Sequence, residues 1–69
     1  MPGPVARVIE ISATSDSSFE DAITTGLNRA NSTLRNVTSA WVKEQRINLD
    51  GSGGVTGFQV NLLVTFVLD

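Results

Sequence analysis

The sequence contains no cysteine, no histidine and no tyrosine, and its two prolines both fall within the first four residues. Without cysteine there is no disulfide and no thiolate metal site. Without histidine, the usual transition-metal ligand and the usual general base near neutral pH are missing. Basic residues are few: Arg7, Arg29, Arg35, Lys43 and Arg46 are scattered through a chain of net charge −2. A binder of the phosphate backbone needs clustered Lys and Arg, so nucleic acid is not an expected partner. No apolar run approaches the ~20 residues that span a membrane. The opening Met-Pro-Gly-Pro has no basic region followed by an apolar stretch, so it does not read as a signal peptide. The expectation is a soluble cytoplasmic protein without membrane contact. No G-x-S-x-G elbow, P-loop or G-x-G-x-x-G occurs. With no acid–base or nucleophilic set in view, an enzyme is not expected.

What remains is room for one domain over residues 1–69, with residues 1–4 as a flexible Pro/Gly arm. A domain this small buries little of its surface and needs a staple. With disulfides and the commonest metal ligands excluded, association between subunits is the expected one.

The last fifteen residues organise the chain. Phe58, Val60, Leu62, Val64, Phe66 and Leu68 alternate, so in an extended chain they share one apolar face. Gln59, Asn61, Leu63, Thr65 and Val67 make the other face, part polar and part apolar. Residues 5–13, rich in β-branched side chains, read as a first strand. Both of its faces are mixed, so periodicity does not say which one points inward. A helix is expected from about residue 16 to about 35. Ser15 or Ser17 would be its N-cap, Ser17 and Glu20 have capping-box spacing, and Asp16, Glu20 and Asp21 carry first-turn charge. Phe19, Ile23, Leu27, Ala30 and Leu34 form its apolar stripe, with Ala22 and Gly26 beside it. Gly26 costs about 1 kcal/mol against Ala in a helix, which is tolerable if something packs closely there.

Residues 38–49 read as a second strand, and Asp50-Gly51-Ser52-Gly53-Gly54 as a hairpin turn into the last one. If the hairpin closes symmetrically, odd positions pair with odd. Gln45 then lies near Gln59 and Trp41 near Leu63, and all of them share the face away from the core. The fold class is therefore α+β, a β-α-β-β subunit with a three-stranded antiparallel sheet wrapped on one helix. One helix cannot cover both sheet faces. The uncovered face, with Trp41, Ile47, Leu49, Leu63 and Val67, should be buried against other subunits or a ligand. Trp41, the single tryptophan, and the Gln59 amide stand out there. A ring that stacks and an amide that reads an edge suit a flat heteroaromatic ligand. The plainer alternative is an interface contact.

The whole pattern resembles the dodecins. It does so over about Arg7–Asp69, through Arg7-Val8-Ile9-Glu10-Ile11-Ser12-Ala13-Thr14-Ser15, Thr33-Leu34-Arg35-Asn36-Val37, Val42-Lys43-Glu44-Gln45-Arg46 and the Phe58–Leu68 strand. The resemblance implies a hollow homododecamer with helices outside. It implies a flavin cofactor (riboflavin, FMN or FAD) bound in pairs at a two-fold contact, for storage or sequestration rather than turnover. It assigns reading of the isoalloxazine edge to Gln59. Aligned on Val42-Lys43-Glu44, the family's stacking Trp falls on Ser39, and Trp41 stands two residues later on the same face. Either the ring lies over a displaced ligand, with Ser39, Trp41 and Gln59 lining the site, or flavin is not bound. In the second case the chain is similar to the flavin-free calcium-dodecin branch, structural or ion-binding. By position, Glu44 and Arg46 would lie near the flavin's ribityl chain or phosphate.

Overall fold

A computed structural model describes residues 4–68; most of the Pro/Gly arm expected at residues 1–4 lies outside them. The element order is β1 (Ala6–Ser15), α1 (Phe19–Thr33), β2 (Val37–Leu49) and β3 (Val55–Val67). The sheet is antiparallel with order β1-β3-β2, so the carboxy-terminal strand is the central one. Its alternation explains the placement. Val60, Leu62 and Val64 are fully buried under the helix, and Gln59, Asn61 and Leu63 look the other way. Register settles the mixed faces of β1. Ile9, Ile11 and Ala13 sit opposite Val64, Leu62 and Val60 on the helix side, while Val8, Glu10 and Ser12 sit opposite Thr65, Leu63 and Asn61 on the open side.

The helix is shorter than its sequence suggests. Its N-cap is Ser18, whose hydroxyl accepts from the Asp21 amide at 3.0 Å, not Ser15 or Ser17. Ser15 is buried and serves the preceding turn instead. Its Oγ accepts from the amides of Ser17 and Ser18 and donates to Asp21 Oδ2 at 2.6 Å. The capping spacing is thus Ser18–Asp21, one residue later than Ser17–Glu20. At the other end Asn36 takes φ 61°, a left-handed turn that Asn tolerates. That turn starts β2 early and leaves Arg35 outside the helix, so no basic residue sits in the last turn.

Packing reorders the helix stripe. The fully buried line is Ala22, Gly26 and Ala30, flanked by half-buried Phe19, Ile23, Leu27 and Leu34. Small residues let the helix lie close on the sheet. A Cβ at Gly26 would meet Ala13 Cβ at 3.1 Å and Leu62 Cδ1 at 3.2 Å. This is the close packing that offsets glycine's poor helix propensity. Phe19 and Phe58 close one end edge to face, with ring centroids 5.1 Å apart.

The second strand departs most from expectation. A bulge between Val42 and Glu44 inserts Lys43 and reverses the alternation beyond it. Trp41 does oppose Leu63, but Gln59 is opposed by Arg46 and not by Gln45, which opposes Val60. Ile47 opposes Phe58 on the helix side, so it does not belong to the open face. The helix lies over β1 and β3 and leaves most of β2 beyond Val37 uncovered. Trp41 is 59% exposed and Ile47 48% exposed. The β2–β3 hairpin projects well past the helix, and the molecule measures 58 × 19 × 13 Å.

Candidate functional site on the open sheet face

The open face is built in rows across β1, β3 and β2. Val8, Thr65 and Ser39 form one row, and Glu10, Leu63 and Trp41 the next. Then come Ser12, Asn61 and Glu44, and finally Thr14, Gln59 and Arg46. The first two rows mix Val8, Leu63 and Trp41 with Thr65, Ser39 and Glu10, and the last two are wholly polar; the bulge at Lys43 decides which polar residues of β2 join them. With unbroken alternation, Gln45 would stand opposite Gln59 on this side, and Glu44 and Arg46 would turn to the helix side.

Gln59 is the hub of the polar half. Its Oε1 accepts from Arg46 Nη2 at 2.7 Å, and its Nε2 donates to Ser12 Oγ at 3.1 Å. Asn61 Nδ2 lies 3.5 Å from both Glu10 Oε2 and Glu44 Oε1, bringing two carboxylates to one amide. Lys43, freed by the bulge, reaches over the central strand to Glu10 Oε1 at 3.1 Å. The hydrogen bond that Lys43 donates to Glu10, and then the Glu10 charge, raise the Lys43 pKa above the ordinary lysine value. A raised ammonium pKa means that Lys43 contributes stability that is present at neutral pH and lost as pH rises through the raised value. Glu44, Gln45, Arg46, Gln59 and Asn61 line a cavity of about 190 Å³. A larger one, about 400 Å³, lies between β1 and the helix and contains none of the site residues expected from sequence.

The structure therefore brings Gln59, Glu44 and Arg46 together. It does not bring Trp41 and Ser39 to them within one chain. Trp41 opposes Leu63, four residues or about 13 Å along β3 from Gln59. Ser39 opposes Thr65, about 20 Å away. Trp41, Ser39 and Gln59 share a face but not a pocket, so a ligand touching all three would need a second subunit laid across the face. Ser12, Lys43 and Glu10 were not singled out from sequence, because their approach depends on β1 register and on the bulge. Asn61, two residues from Gln59 on the same face, was visible as a second amide. Among the described residues, no three Asp, Glu, His or Cys side chains gather as a metal site.

The dodecin family model matches residues 5–69. The chain belongs to the dodecin family. Solved structures agree. An Arg-to-Ala variant of the dodecin from Thermus thermophilus is 40% identical with a TM-score of 0.88, covering 97% of each chain. The dodecin from Streptomyces davaonensis is 37% identical with a TM-score of 0.90, covering 99% of this chain and 98% of that one. A calcium dodecin from Mycobacterium tuberculosis, described as a calcium-chelating antigen with a novel calcium-binding site, is 31% identical with a TM-score of 0.81. It covers 94% of this chain and 91% of its own. No curated protein sequence matches the chain. The β-α-β-β subunit with its three-stranded antiparallel sheet is thus the dodecin fold.

Proposed function

We propose that this dodecin is the subunit of a cytoplasmic homododecamer that binds flavin without chemical turnover, as a store or sequestering agent. The observation that carries this reading is the polar half of the open face. There Gln59 sits between Arg46 and Ser12 at the edge of a small cavity, on a sheet surface that the single helix leaves bare. A planar ring laid on such a surface meets an edge-reading amide, and the exposed Trp41 on the same face supplies a stacking partner when a second subunit covers it. In this reading Gln59 reads the ring edge, Trp41 stacks, and Ser39 lines the end of the face beyond Trp41. Glu44 and Arg46 stand toward the ribityl side.

Titration of riboflavin with the purified protein tests this. Stacking on Trp41 should quench flavin fluorescence, and Gln59→Ala should weaken binding about tenfold, the worth of one well-made hydrogen bond. Absence of quenching at micromolar protein would sink the flavin reading. A second reading then takes its place, an assembly that holds cations instead. The specific observation favouring it is the convergence of Glu10 and Glu44 on Asn61, in a chain 31% identical to a calcium dodecin.

A further inference from the structure

The orientation of the Gln59 amide is decided by its neighbours. Arginine has donors and no acceptor, so Arg46 Nη2 at 2.7 Å can meet only the carbonyl oxygen. Nε2 is thereby turned toward β1, where it donates to Ser12 Oγ at 3.1 Å. The two partners belong to the strands on either side of β3, so they hold the amide from opposite directions. A carboxamide has two lone pairs on its oxygen and two hydrogens on its nitrogen. Arg46 and Ser12 take one of each. One acceptor and one donor remain side by side. The other contact of that nitrogen, Asn61 Oδ1 at 3.5 Å, is at the long limit and is readily displaced.

We propose that Ser12 and Arg46 are positioning residues. They lock Gln59 as an adjacent acceptor–donor pair, and this pair selects ligands whose ring edge carries an N–H next to a carbonyl. The proposal rests on the flavin reading above and sharpens it. The flavin N3–H beside its ring carbonyls fits such a pair, whereas a flavin methylated at N3 has no proton for Gln59 Oε1. A glutamine free to turn over could offer its N–H groups to the methylated ring's carbonyls and would discriminate less. The locked one cannot, because turning over would set its NH2 group against Arg46, donor against donor.

The chain has two glutamines, Gln45 and Gln59, so ¹⁵N-glutamine labelling of the intact protein gives two side-chain signals. In the clamp, the Gln59 pair of N–H signals should be well separated, with one proton slow to exchange with water. Ser12→Ala or Arg46→Met should move them to the values of a free glutamine, and Ser12→Thr or Arg46→Lys should restore them. In parallel, wild-type protein should prefer riboflavin over N3-methylriboflavin by about tenfold, with the preference falling toward parity in Ser12→Ala. Gln59 signals like those of free glutamine in the wild type overturn the clamp. An undiminished preference in Ser12→Ala overturns it while leaving flavin binding intact. If wild-type protein quenches no riboflavin, the flavin reading fails, and the labelling result alone decides the clamp.

Discussion

At Gly26 the helix packs closely on Ala13 and Leu62 of the sheet. A β-carbon at residue 26 would press on Ala13 and Leu62, both part of or packed on the core. Gly26→Val should therefore destabilise the protein by about 1–3 kcal/mol, the usual cost of overpacking, despite valine's better helix propensity. Leu62 is 1% exposed, and Leu62→Ala should cost about 2–5 kcal/mol through the lost methylenes and the cavity left behind. Denaturant melts at one fixed protein concentration measure both, since association adds to apparent stability. A Gly26→Val variant as stable as wild type would mean the helix can lift off the sheet without loss. That some element must pack closely at Gly26 was readable from sequence. That the neighbours are Ala13 and Leu62 was not, because sequence spacing does not carry the distance between layers.

At the scale of elements, the hairpin turn and the bulge in β2 do opposite things. Asp50 closes the turn with its own side chain, Oδ1 accepting from the amides of Ser52 and Gly54 at 2.7 and 3.1 Å. Gly51 and Gly53 take the positive φ values of 90° and 93° that the turn requires. Those amide bonds lower the Asp50 pKa below the ordinary aspartate value. A depressed carboxyl pKa gives stability that is fully present at neutral pH and lost as pH falls through the lowered value, below about 4. The Ser52 and Gly54 amide resonances should accordingly move together on acidification, and in Asp50→Ala they should already sit at the shifted positions at pH 7. Independent movement of the two would exclude Asp50 as their common acceptor. The turn was legible because its chemistry is local. The bulge at Lys43 was not. An extra residue in a strand depends on the partner's register, and it decided that Arg46, rather than Gln45, stands opposite Gln59.

The whole molecule is too extended to be content alone. Its radius of gyration is 14.6 Å, against about 11 Å for a compact chain of this length. The second strand is exposed along almost its entire length, including Trp41, Val42, Ile47 and Leu49. Beyond Val37, which packs against the core, its faces and its outer edge lack cover among the described residues, a state that proteins normally resolve by association. Sedimentation should show one large closed oligomer; a stable monomer would contradict the whole argument from the bare sheet. Since Trp41 is the only tryptophan, its emission should be blue-shifted in the assembly and move to the red when mild denaturant separates the subunits. Red emission from the intact protein would place Trp41 outside every interface and remove it from the proposed stack.

The alternating apolar residues of the last strand, the helix and the Gly-rich turn determined the β-α-β-β order and the core face by themselves, because each is a local periodicity. The same alternation singled out Gln59 as polar on the face away from that core. The tertiary structure decided what surrounds it. Strand order placed β3 in the middle, β1 register brought Ser12 to one side, and a single inserted residue brought Arg46 to the other. It also set Trp41 and Gln59 apart along the strand. These are relations between segments distant in sequence, fixed by pairing and by the two-residue repeat of a strand, in which one extra residue exchanges the faces.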